Sequence, residues 1–150
     1  MKVNKEGIYL IAGFEGLSLK PYMCPAKKAT IGYGNTYYKD GTKVTMLDKP
    51  ITKEEAIKLL EIIVDSFTKQ VSKLVTAPLN QNQLNAIVSF AYNVGVGNLK
   101  NSTLLKMVNK DHKQLGIANE FLKWVNVAGK KSKGLENRRI KESQIYFKNE

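Results

Sequence analysis

Apolar residues return every three or four positions along most of the chain. The longest such series is Ala56, Leu59, Leu60, Ile63, Phe67, Val71 and Leu74. That spacing lines one face of a helix. Thr52 and Glu55 stand just ahead of it in capping-box spacing, so a helix of about twenty residues is expected to open at Thr52 and to be ended by Pro78. Shorter series mark further helices. Ile8, Ile11 and Ala12 follow Asn4 as N-cap; Leu84, Ile87, Val88, Ala91 and Val94 follow Asn80 or Gln81 and stop at Gly95 and Gly97. Leu104, Leu105 and Val108 follow Ser102, Leu115, Ala118, Phe121, Leu122 and Val125 mark another helix, and a last one is expected from about Leu135 to Phe147, after a basic loop from Gly129 to Gly134.

One stretch breaks the helical period. Thr30 to Val44 is rich in β-branched and aromatic residues, and its Asp40-Gly41 pair is a two-residue hairpin signal. A small antiparallel sheet is expected there, too thin to stand without helices beside it. The fold class is therefore α+β. A small N-terminal lobe (about 13–55) carries the sheet, a connecting helix (about 52–76) follows, and a larger all-helical lobe (about 77–150) also takes in the N-terminal helix. Residues 1–150 are read as one domain, without repeats or low-complexity segments.

Composition narrows the function. The net charge of +11 and pI near 9.7 favour polyanionic partners: nucleic acid, anionic lipid or anionic wall polymer. The basic residues are spread along the chain and form no nucleic-acid motif, so no nucleic-acid partner is expected. No apolar run approaches the ~18 residues of a membrane span, so no stable membrane insertion is expected. The start, Met1-Lys2-Val3-Asn4-Lys5-Glu6-Gly7, does not read as a signal peptide, so synthesis in the cytoplasm is expected. Cys24 is the sole cysteine and His112 the sole histidine, which supports neither a disulfide nor a metal site, and no cofactor is implied. His112 reads as a surface residue at the start of a helix and Trp124 as core.

The candidate chemistry begins at Glu15. It falls at the end of the first helix, where the macrodipole slightly favours a protonated carboxyl. Phe14, Leu17 and Leu19 surround it in sequence. By itself it reads as a solvated acid at a helix edge. If it is partly buried, desolvation makes it a proton donor near neutral pH. From Glu15-Gly16 the chain continues to Cys24, nine positions on, and to Thr30-Ile31-Gly32-Tyr33-Gly34-Asn35, starting fifteen positions on. Further along come Ser89-Phe90-Ala91-Tyr92-Asn93-Val94-Gly95, Asn101-Ser102-Thr103-Leu104-Leu105, Trp124, and Gly134-Leu135-Glu136-Asn137-Arg138-Arg139.

In this order these segments resemble glycoside hydrolase family 24, the phage lysozymes or endolysins, nearly end to end. The resemblance implies a lysozyme-like fold and hydrolysis of the β-1,4 bond between N-acetylmuramic acid and N-acetylglucosamine in peptidoglycan, leading to host lysis. Glu15 matches the family's acid and Thr30 its threonine. Cys24 stands where the family has Asp, and Asn35 where it has His. The family inverts, with its carboxylate and threonine holding the attacking water, and inverting sites separate their two catalytic groups by roughly 6.5–9.5 Å. Cys24 leaves three readings: a water-positioner with inversion, a thiolate nucleophile with retention, or loss of activity that leaves a wall-binding protein. Some members carry Cys here. Lys20, Lys27 and Lys28 are candidates for easing its ionisation. By resemblance Tyr33, Asn93 and Arg138 bind or border the substrate, Arg138 near the acid. The expected partner is the glycan strand, met by a monomer released through a holin. Cleavage of the lytic transglycosylase type is the alternative chemistry.

Overall fold

A computed structural model describes residues 1–149. Its elements are α1 (Lys5–Phe14), β1 (Ser18–Met23), β2 (Ala29–Gly32), α2 (Lys53–Leu74), α3 (Gln81–Val94), α4 (Val96–Lys100), α5 (Thr103–Lys110), α6 (Ile117–Phe121), β3 (Asn126–Val127), β4 (Lys130–Lys131) and α7 (Lys133–Tyr146). The chain divides into two compact units, residues 8–66 and residues 1–7 with the chain from 67 onward.

In the unit of residues 8–66, β1 and β2 pair antiparallel with Tyr22 opposite Thr30 and Met23 opposite Ala29. The connection is a tight turn: Lys27 N donates to Cys24 O at 2.8 Å and Cys24 N to Lys28 O at 3.0 Å. Pro25 supplies the fixed φ favoured at the second position of such a turn. Lys27 takes the left-handed position at φ 59°, a conformation that is unfavourable for a residue with a Cβ. The sheet therefore overlaps the stretch expected to hold it only in β2, and its other strand, β1, lies upstream. Asp40-Gly41 closes only the single bridge between Tyr37 and Lys43. Its loop is a residue longer than a two-residue hairpin, with Gly41 N donating to Tyr38 O at 3.0 Å and Tyr38 N to Thr42 O at 2.9 Å. Gly41 takes φ 87° at the bulge position, which glycine occupies without steric cost.

Ile31, Val44 and Leu59 form a buried cluster in this unit, flanked by Ala29, Tyr38 and Ile51. Asn35 ties the sheet to α2. Its backbone exchanges two 2.9 Å hydrogen bonds with Ile31, and its Nδ2 donates to Leu59 O at 3.2 Å. At the position where the resemblance has a histidine, this chain thus uses a buried amide as a structural tie. Thr52 and Glu55 form the expected capping box, with Glu55 N donating to Thr52 Oγ1 at 3.1 Å and Thr52 N to Glu55 Oε1 at 3.3 Å.

The other unit is built around α3, whose residues 82–91 are all buried. A helix buried all round is apolar or internally bonded on every face. Asn80 caps α3 reciprocally with Gln83, and Asn4 caps α1 by accepting from Gly7 N at 3.2 Å. Phe90 meets Phe121 and Trp124 edge-on at 5.7 and 5.5 Å. Four expectations need correction here. Helix α2 stops at Leu74, ahead of Pro78, because Asn109 takes over its end: Asn109 Nδ2 donates to Leu74 O at 3.0 Å and Oδ1 accepts from Thr76 N at 2.9 Å. Gly95, at φ 96°, ends α3, whereas Gly97 lies inside α4. Helix α6 closes at Phe121, short of Val125. The basic loop forms the short β3–β4 hairpin, so this half is not wholly helical, and Ser132 caps α7 by accepting from Leu135 N at 3.2 Å.

Candidate active site

Glu15 is the first residue past α1. Its N–H still donates to Ile11 O at 3.1 Å, which sets the direction in which the carboxyl leaves the helix. The side chain is half-buried. It opens on a pocket of about 320 Å³ lined by Glu15, Gly16, Leu17, Ser18, Tyr22, Tyr33 and Gly34. Two aromatic rings and one carboxyl suit a sugar, which presents an apolar face to a ring and oxygens to an acid. Tyr33 is buried, while Gly34, at φ 100°, is exposed and has no Cβ to fend off a ligand.

Thr30 and Cys24 sit at the hairpin. Thr30 is buried and Cys24 half-buried. Neither is among the residues lining the Glu15 pocket, but Tyr22 is, and Tyr22 is Thr30's cross-strand partner. Directly opposed residues share a face of the sheet. A hydrogen bond from the Thr30 hydroxyl, followed by one from the Lys28 backbone, holds the Cys24 thiol below its ordinary value. The pull comes from hydrogen bonding rather than from the side-chain charges of Lys20, Lys27 and Lys28 that the sequence suggested.

Thr30 also donates to Lys28 O at 2.9 Å. A hydroxyl has one hydrogen, so Thr30 donates either to Lys28 O or to the Cys24 sulfur, and donation to the sulfur favours the thiolate. Thr30→Val removes this donor. Losing a hydrogen bond to a charged group should then slow alkylation of Cys24 by iodoacetamide at pH 7 by roughly threefold to tenfold. An unchanged rate would show that the hydroxyl does not stabilise the thiolate.

The remaining predicted residues lie in the other unit. Arg138 is buried, donating from Nε to Glu142 Oε2 at 3.1 Å and from Nη2 to Ser89 O at 2.9 Å. Asn93 is exposed at the end of α3, and its Oδ1 accepts from Arg139 Nη2. Asn93, Asn98, Trp124 and Arg139 contribute to a second pocket of about 460 Å³. Trp124, read from sequence as core, packs on Phe90 and also lines this pocket. His112 lies in the turn after α5, where its carbonyl accepts from Tyr146 Oη at 2.7 Å.

Sequence reading missed Tyr22, Arg139 and Glu142. The Arg138-Arg139-x-x-Glu142 spacing, which puts both arginines within one turn of the carboxylate, was the available signal.

Helices together with a two-stranded antiparallel hairpin, and a carboxyl where the first helix ends, make up a lysozyme-like α+β fold. The chain belongs to the phage lysozyme family, whose model matches residues 12–142. A lysozyme structure from phage P22 superposes with a TM-score of 0.87 at 34% identity, covering 99% of each chain. An endolysin of Bacillus phage B103 is 43% identical over 100% of this chain and 56% of its own length. A SAR-endolysin of Haemophilus phage HP1 is 30% identical over 96% of this chain and 80% of its own length. The chain thus spans a little over half the length of some curated relatives, represented by the B103 protein.

Proposed function

We propose that the protein is an endolysin with N-acetylmuramidase activity, hydrolysing the β-1,4 bond between N-acetylmuramic acid and N-acetylglucosamine in peptidoglycan to lyse the host. One observation carries this reading: the Glu15 carboxyl stands half-buried in an open pocket walled by Tyr22 and Tyr33. Glycoside hydrolysis needs an acid to protonate the leaving oxygen and a second group to deliver the nucleophile on the other side of the sugar. Glu15 takes the first role. Cys24 and Thr30 take the second, either holding the attacking water or, with Cys24 ionised, attacking the anomeric carbon. Tyr33 and Asn93 contribute to substrate binding directly, and Arg138 contributes through its hydrogen bond to Ser89 O of α3, the helix that carries Asn93. The protein acts as a monomer on the cell wall, which it reaches from the cytoplasm through a holin.

The test is the product pattern from purified sacculi. The muramidase should release fragments with reducing ends at N-acetylmuramic acid. Anhydro ends would overturn it in favour of a transglycosylase, and binding without fragment release would leave only a wall-binding protein.

A further inference from the structure

An asparagine amide is ambivalent in recognition, because its oxygen accepts while its nitrogen donates and exchanging the two costs little in the open. At Asn93 the choice is made by the protein. Oδ1 accepts from Arg139 Nη2, and a guanidinium has only donors to offer, so the oxygen must face Arg139 and the NH₂ must face away.

The guanidinium that imposes this is itself held in place. Arg139 is 0% exposed; its Nη1 donates to Glu142 Oε1 at 2.5 Å, its Nε to Trp124 O at 2.9 Å, and its carbon lies 5.0 Å from the centroid of the Phe90 ring. Glu142 is also 0% exposed, and its other oxygen accepts from Ser89 Oγ at 2.6 Å and Arg138 Nε at 3.1 Å. Asn93, in contrast, is exposed and lines the pocket beside Trp124. A chain of fixed contacts therefore runs from a buried carboxylate to the edge of a pocket and ends in two outward N–H donors.

We propose that Glu142 and Arg139 are positioning residues that fix Asn93 as a hydrogen-bond donor, so that the pocket beside Trp124 selects an acceptor oxygen of the substrate. Peptidoglycan offers such acceptors in two places, on the glycan, above all the acetamido carbonyl, and on the stem peptide, in its amide carbonyls and carboxylates. The inference rests on the peptidoglycan reading above and assigns the polarity of contact at one point of it.

Asn93→Asp is the decisive variant. The side chain keeps its shape, and its bond to Arg139 becomes an ion pair, but an oxygen replaces the outward NH₂. If Asn93 served only to hold Arg139, aspartate would equal or exceed asparagine, and alanine would be the worst of the three. If Asn93 donates to substrate, aspartate turns an acceptor toward an acceptor and ranks below alanine. Losing such a pairing is worth roughly tenfold to a hundredfold in affinity.

KM and kcat are measured on sacculi, and the dissociation constant is measured by co-sedimentation with sacculi in a Glu15→Gln background. The expected result is KM and Kd rising in the order Asn, Ala, Asp, with kcat nearly constant and the Asp variant melting no lower than the parent. Wild-type affinity in Asn93→Asp, or Ala binding worse than Asp, would overturn the proposal. Repeating the measurement on glycan strands stripped of stem peptides locates the acceptor: a persistent penalty places it on the glycan, a vanished one on the stem peptide. The co-sedimentation arm reads this order even if the parent cleaves nothing, so failure of the hydrolase reading and failure of this inference are separable.

Discussion

Glu15→Gln should release reducing ends from purified sacculi about a hundredfold to ten-thousandfold more slowly than the parent, the range that a positioned general acid contributes. The substitution is nearly isosteric. Glutamine can donate a hydrogen bond to the glycosidic oxygen but has no proton to give up, so the leaving group must depart as an alkoxide. The pocket walls, Tyr22 and Tyr33, remain in place, so sedimentation with sacculi should persist while cleavage stops. Circular dichroism checks that the fold is retained. A rate within a few-fold of the parent would remove Glu15 as the acid and return it to a solvated residue at a helix edge.

The same substitution separates the two halves of the reaction. Alkylation of Cys24 should still proceed in Glu15→Gln at the parent rate, because the hydrogen bonds that favour the thiolate come from Thr30 and Lys28. Loss of activity through Glu15 and loss through Cys24 are thus independent lesions. An enzyme inhibited only by the first would be one in which water needs no help from the sulfur.

What the sequence disclosed follows how local each determinant is. Helix α2 was legible because its apolar face and its Thr52–Glu55 cap lie within one stretch of chain. The caps Asn4, Asn80 and Ser102 were legible for the same reason. Strand β1 was not. Pro21 interrupts it and its residues are mostly exposed, which a two-stranded sheet tolerates because each strand has a free edge. Its register with β2 depends on the turn at Cys24–Lys28, and only that register sets Tyr22 opposite Thr30.

Glu15, Thr30 and Tyr33 could be named through the resemblance, since its spacing is linear. The adjacent arginines show the limit. Sequence singled out Arg138, yet Arg139 is the one bonded to Asn93, and the difference lies in which side of α7 faces Asn93. The two-residue strands β3 and β4 are too short for any period to mark them.

Glu142→Ala should cost about 3–5 kcal/mol of folding stability, the range for stripping one partner from a buried charge cluster. Glu142 is wholly buried and receives hydrogen bonds from Arg139, Arg138 and Ser89. Its removal leaves the buried guanidinium of Arg139 facing a cavity, and a buried charge without a counter-charge is far costlier than a lost contact. At roughly 2–4 °C per kcal/mol for a chain of this size, the melting temperature should fall by about 6–20 °C. The exposed pair Lys133–Glu136 provides the contrast. Lys133→Ala should change stability by no more than about 0.5 kcal/mol, because solvent screens a surface pair. Urea unfolding of the two variants measures both terms. A Glu142→Ala loss below about 1 kcal/mol would mean that the cluster relaxes toward solvent, and Arg139 would then be too loosely held to orient Asn93.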